Sequence, residues 1–188
     1  MKQVLFFVFG WLILTGCGRG DSRYRKLVET EMASGKRVNE LVYGIHFGMP
    51  RRKFYEYVWG MHQKDSFDDG SNSTAVLYRL HHQLKRPAQM LFYPMFRQDT
   101  IYRMWAQFEY DAWAPWNKKL WSDSLITDVV RWYREWYPGN DFIRITDKRR
   151  GTIYVKVDGN RRIIIGQKDD AHVNVDYSDL RVEKNTME

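Results

Sequence analysis

Histidines, acids and one cysteine are the side chains of this 188-residue chain that could do chemistry. The five histidines are His46, His62, His81, His82 and His172. His81 and His82 are adjacent, so on a strand they point to opposite faces and do not share one metal ion. His172 lies close to Asp169 and Asp170, a grouping that could hold a cation weakly. With Lys168 beside it the group reads as a polar loop, because a metal site needs converging ligands that this spacing does not supply. Asp68-Asp69 and Asp169-Asp170 suit turns. The chain has no Gly-x-Ser-x-Gly, no His-Glu-x-x-His, no phosphate-cradling glycine loop and no second cysteine. The sequence therefore assigns no catalytic residue, no metal ligand and no cofactor, and a hydrolase of unrecognised type is the third-ranked reading.

Aromatic residues are the other chemical resource, with 8 Trp, 12 Tyr and 10 Phe. Exposed indole and phenol faces stack on sugar rings. Trp121, Trp132 and Trp136 keep helical spacing and read as core. Trp113 and Trp116 flank Ala114-Pro115 in a break and are the better candidates for ligand stacking. Trp105 falls opposite the apolar face of its strand, where it is either inter-layer packing or a platform, with packing preferred.

These side chains are positioned by a regular order of elements. Residues 24–34 read as a short helix ended by Gly35, and 40–50 as an extended segment leading to Pro50, which suits the first position of a helix. Phe54, Val58 and Met61 follow at helical spacing. Asp68-Asp69-Gly70-Ser71-Asn72-Ser73 breaks the chain. Strand-like runs cover 74–80, 89–95 and 100–110; in the last, Tyr102, Met104, Ala106, Phe108 and Tyr110 alternate with polar residues. A second helix lies between Asn117 and Trp136, with Trp121, Leu125, Val129, Trp132 and Trp136 as its buried stripe. Strands over 141–146, 151–157, 161–166 and 172–177 come after it. Asp158-Gly159 reads as a two-residue type I′ hairpin turn. The expected fold is α+β: two successive helix-plus-antiparallel-strand units, with the sheet or sheets covered on one face by helices. The expected organisation from residue 24 onward is one domain over 24–180 made of two pseudo-repeated halves (about 40–110 and 115–180), and a flexible tail over 181–188.

Compartment is written at the amino terminus. Lys2 precedes an apolar run from Val4 to Leu14, within the roughly 7–15 residues of a signal core and short of the roughly 20 that span a bilayer. Leu14-Thr15-Gly16-Cys17 closes it and resembles a lipobox, the Leu-x-Gly-Cys signature of bacterial lipoprotein precursors. The resemblance implies a signal peptide over 1–16 cleaved before Cys17, a diacylglyceryl thioether on Cys17 with acylation of the new amino terminus, and a lipidated tether over 17–23. Gly18, where an Asp would mark inner-membrane retention, is similar to the outer-membrane pattern. Phe47-Gly48-Met49-Pro50-Arg51-Arg52-Lys53-Phe54 is similar to the "Phe-Gly-Met, then helix" opening of many uncharacterised exported bacterial proteins, and to the small lipoproteins of the outer-membrane assembly accessory class; it carries over no functional residue.

The formal charge of +7 fits two readings, a surface met by anionic headgroups, lipopolysaccharide or acidic partners, and a plain soluble surface of scattered Lys and Arg; export removes nucleic acid from reach. The expected function is a lipid-anchored envelope protein acting as a non-catalytic interaction or assembly module, with glycan or peptidoglycan binding as the alternative. The expected partners are the membrane, through lipid on Cys17, and an envelope protein or glycan.

Overall fold

The computed structural model describes residues 19–62, 68–69, 75–147 and 151–184. Cys17 with the apolar run before it, the break residues 70–73 and the last four residues lie outside the described residues. Among the described residues, no helix is long and apolar enough to cross a membrane.

In chain order the elements are α1 (Arg19–Ala33), α2 (Arg51–His62), β1 (Asp68–Asp69), β2 (Val76–Leu80), β3 (Ala88–Arg97), β4 (Thr100–Tyr110), α3 (Ser122–Trp136), β5 (Ile143–Asp147), β6 (Gly151–Asp158), β7 (Arg161–Gln167), β8 (Val173–Asp179) and α4 (Leu180–Lys184). A single turn of 3₁₀ helix at Lys118–Leu120 leads into α3.

The expected pair of helix-and-strand units does not form. All the strands belong to one sheet, in the order β1-β2-β3-β4-β8-β7-β6-β5, and every neighbouring pair is antiparallel. The joint is β4 against β8, where Arg103 to Phe108 pair with Ser178 to Val173. Each run of strands carries one apolar face, and alternation alone does not forbid the two from continuing each other. Joining them lets both apolar faces share one core.

One face of the sheet carries Val76, Leu80, Met90, Phe92, Met104, Ala106, Phe108, Ile163, Ile165, Val173, Val175 and Tyr177 into the main core. The amphipathic α3 lies across its middle, burying Leu125, Val129, Trp132 and Tyr133. Leu41, Val42, Ile45, Phe47 and Met49 from the segment after α1, with Phe54 of α2, complete that layer.

Helices are not confined to one face. α1 lies on the opposite side, over β5 and β6, where Tyr24, Leu27, Val28 and Met32 pack on Ile143, Ile145, Ile153, Val155 and Val157. The first helix of the chain therefore rests on the second half of the sheet. This crossing is a further reason why the halves are not separate units.

The β6–β7 turn differs by one residue from its expected place. Asp158 pairs with Arg161, so Gly159-Asn160 are the two turn residues. Only Gly159 has a positive φ, +56°, which is the pattern of a type II′ turn rather than I′. Trp121 stands just before α3 as its N-cap residue, outside the helix whose buried stripe it was expected to join. Leu180–Lys184, expected to begin a frayed end, forms α4.

Candidate functional site, the open half of the sheet

α1 covers only the β5–β6 end of the second sheet face. On β2, β3, β4 and β8 the residues of that face stay partly exposed, among them Leu77, Leu91, Tyr93, Trp105, Gln107, Asn174 and Asp176, with Met95 exposed. The pairing arranges them in rows across the strands. One row runs Leu77, Leu91, Gln107, Asn174, Gly166, Ile153. A second runs Tyr93, Trp105, Asp176, Ile164. Trp105 and Tyr93 are direct cross-strand neighbours with ring centroids 5.3 Å apart and planes tilted by 47°.

Polar side chains on this face are mostly tied to one another. The Arg103 guanidinium grips the Asp176 carboxylate through two hydrogen bonds, that from Nε spanning 2.8 Å. Gln89 donates to Glu109 at 3.2 Å, and Lys168 donates to the Gln107 carbonyl at 2.8 Å. The face is thus a patchwork of aromatic, aliphatic and paired charged groups.

Where the two rows meet β7, Gly166 presents no side chain. A depression of about 690 Å³ opens there. Ile153, Ile164 and Gly166 give it apolar walls, Trp105 borders it on the sheet side, and Trp121 with Asp123 borders it from the start of α3. Asp169, Asp170 and Asp176 complete an acidic rim, against which Lys168 is the lining cation. A Cβ on Gly166 would come within 3.1 Å of Ile153 Cγ2. Two buried polar atoms on lining residues, Trp121 Nε1 and Asn174 Oδ1, have no hydrogen-bond partner among the described residues.

The β7–β8 turn forms the rim and is locally well built. Asp169 accepts hydrogen bonds from the backbone N–H groups of Ala171 and His172, both at 2.9 Å, and meets His172 Nδ1 at 2.7 Å. Burial pushes its carboxyl up, but the His172 ring and the two N–H groups outweigh burial and hold it below the usual aspartate range. His172 Nε2 lies 3.5 Å from Glu109. The Asp170 carbonyl accepts from the Ser122 N–H at 2.8 Å and from Trp113 Nε1 at 3.3 Å, tying this turn to the approach to α3.

The three aromatic residues singled out in the sequence are not brought together. Trp105 is half-exposed on the open face. Trp113 is half-buried against the β7–β8 turn. Trp116 projects from the β4–α3 connection and is 85% exposed. His81 and His82 fall in the β2–β3 connection rather than on a strand, with ring centroids 6.2 Å apart. Among the described residues, no group of three or more His, Cys, Asp or Glu is placed to hold a metal ion. Cys17 lies outside the described residues.

Sequence reasoning missed Tyr93, Trp121 and Gly166 as site residues. Alternation placed Trp105 opposite the apolar face of its strand; the available signal for Tyr93 was that Leu91, Tyr93 and Met95 give its strand a second apolar face. No family model, curated protein or solved structure matches the chain.

Proposed function

We propose that this chain is a lipid-anchored protein of the bacterial cell envelope, held at the outer membrane by acyl chains on Cys17, and that it works as a non-catalytic interaction module through the open half of its sheet. The observation that carries the second part is the uncovered patch of Leu77, Leu91, Tyr93, Met95 and Trp105. On the other half of the same face α1 buries the corresponding positions. Aromatic residues, Met and Arg on one exposed surface are the composition of protein interfaces. The wide, shallow relief suits a polypeptide partner better than a small substrate, which needs enclosure on several sides.

Glycan binding is the second reading. It is favoured by Trp105 lying next to Gln107, Asn174 and Asp176, a ring face flanked by carboxamides and a carboxylate. The 47° tilt between Trp105 and Tyr93 leaves one stacking plane rather than a continuous platform, and this places the reading second.

Two measurements test the proposal. Intact mass and membrane fractionation of the native protein beside Cys17→Ser examine the anchor: the native chain is expected to be cleaved and acylated, and the variant released or unprocessed. A processed variant that still needs detergent for extraction would refute the anchor. Photocrosslinking from position 93 examines the face, with a discrete adduct expected that Leu91→Asp abolishes. An adduct that survives Leu91→Asp would show that the open face is not the contact.

A further inference from the structure

Deepening the interaction reading above, we infer that the depression around Gly166 receives a lysine or arginine side chain of the protein partner. The chain as a whole carries +7, yet this hollow is acidic. Its rim has Asp123, Asp169, Asp170 and Asp176, against Lys168 in the lining and the Arg103 guanidinium already bound to Asp176. The Asp170 carboxylate makes no hydrogen bond or ion pair among the described residues, and among them the Asp123 carboxylate accepts only from Gln167 Nε2, at 2.6 Å. Asp169 stays ionised to low pH for the reasons given above. The charge available to a ligand is therefore negative.

The walls specify the kind of cation. Ile153, Ile164 and the bare backbone of Gly166 offer an apolar bed below the acidic rim. A long aliphatic stem ending in a charged head matches that layering. A bare metal ion does not, since among the described residues no three ligating groups converge. Trp105 and Trp121 border the hollow, and ring faces attract ammonium and guanidinium groups. Trp121 already makes such a contact, with Lys118 Nζ 5.6 Å from its ring centroid. The buried Asn174 Oδ1, unpartnered among the described residues, supplies an acceptor for a guanidinium N–H.

The hollow also opens onto the row through Gln107, Leu91 and Leu77. Leu91 lies three strands from Gly166, roughly 14 Å, so an extended chain laid along that row would set one side chain into the depression and another four residues on against Leu91. This continuity with the open face points to a side chain on a polypeptide rather than a free amine.

The test is a tryptophan fluorescence titration of the full chain in mild detergent. The probe is a capped octapeptide of glycine, leucine and two arginines. The controls are the same peptide with citrulline or glutamate in place of arginine, and spermidine. A saturable change with the arginine peptide is expected, at least tenfold weaker with citrulline or spermidine. The double variant Asp123→Asn, Asp170→Asn, both exposed side chains, is expected to weaken arginine-peptide binding at least tenfold with an unchanged circular dichroism spectrum. Gly166→Ser, which fills the floor, is expected to weaken it as well. Equal binding of the citrulline peptide, preference for the glutamate peptide as the overall charge alone would give, or full affinity in the double variant would each overturn the cation site. Spermidine binding as tightly as the peptide would overturn its assignment to a polypeptide. Crosslinking from position 93 keeps the two proposals separable: an adduct that persists while the peptide fails to bind sinks the cation pocket and leaves the open face standing.

Discussion

Replacing Gly159 by Ala tests how the first helix is locked onto the far half of the sheet. Gly159 has φ +56°, and an added Cβ would lie 2.5 Å from the Lys36 carbonyl oxygen and 3.1 Å from its carbon. The left-handed conformation costs a non-glycine residue about 1–2 kcal/mol. The contact is with backbone, so it is relieved only by moving the segment after α1 away from the turn. Two hydrogen bonds span that gap: Gly159 N–H to Glu31 Oε2 at 2.6 Å, and Val38 N–H to Asn160 Oδ1 at 2.7 Å. The first has a charged acceptor and contributes roughly 1.5–3 kcal/mol. The total loss is about 3–5 kcal/mol, and for a domain of this size that lowers the melting temperature by on the order of 10 °C. Gly35→Ala and Gly48→Ala are the controls. Their φ values are +70° and +78°, with nothing within 4 Å of the added methyl group. Each is expected to cost only the conformational term of about 1–2 kcal/mol. Urea and thermal unfolding of the three variants give the comparison. A Gly159→Ala loss equal to that of the controls would refute the argument that close approach to Lys36, rather than φ alone, fixes glycine here.

Acid and alkali probe a half-buried carboxylate and a buried tyrosine cluster. Glu31 also accepts from Asn140 Nδ2 at 2.7 Å, and the Gly159 N–H is the largest influence lowering its carboxyl, ahead of burial, which opposes it. Its stabilising contribution is present above the unfolded glutamate value of about 4.3 and fades as pH falls below that. The stability gap between the native chain and Glu31→Gln, read from urea midpoints, is therefore expected to be wide at pH 6 and narrow at pH 3.5; a constant gap would contradict it. Tyr133, Tyr137 and Tyr177 are buried together, with Tyr133 and Tyr177 hydroxyls 2.5 Å apart and Tyr137 and Tyr177 hydroxyls 3.2 Å apart. Burial is the main cause that raises all three well above the ordinary tyrosine value. Their contribution is present below the unfolded value of about 10 and lost as pH rises past it. Absorbance at 295 nm should show these three ionising only together with loss of the circular dichroism signal, and their titration in the folded protein would refute the buried arrangement.

The parts of the fold legible in the sequence are those governed by local periodicity. β4 occupies Thr100–Tyr110, the span read from its alternation, and α3 lies within the span marked by its apolar stripe. Strand partnership was not legible, because Phe108 and Val173 become neighbours for reasons that no short stretch contains. The position of α1 was hidden in β6, where both faces are buried: Ile153, Val155 and Val157 meet α1, while Lys156 is buried on the other side. A lysine in an alternating strand reads as solvent-facing. Here its ammonium donates to the Asn140 carbonyl and lies 3.3 Å from Asp158, partners that only the folded chain supplies. The depression was equally hidden, since it depends on a missing side chain at Gly166 and on Trp121 arriving from another element. Charge counting over the whole chain pointed the other way, to a basic surface.

The β4–β8 joint sets the order in which the protein can be completed. The two strands are about 70 residues apart in sequence, and β8 is the last of the described strands. Until residues near 178 are in place, the edge of β4 that faces away from β3 is unpaired from Arg103 to Phe108, and Met104, Ala106 and Phe108 lack Tyr177, Val175 and Val173 beside them. Such an edge is a template for pairing with other chains. Closure across so long a separation is also slow. α1, although it precedes every described strand, has no surface to rest on until β5 and β6 exist. The outer edge of β4 and the packing of α1 therefore both depend on the carboxyl-terminal half of the chain. Truncation before β8 is expected to give an aggregating product rather than a smaller folded domain.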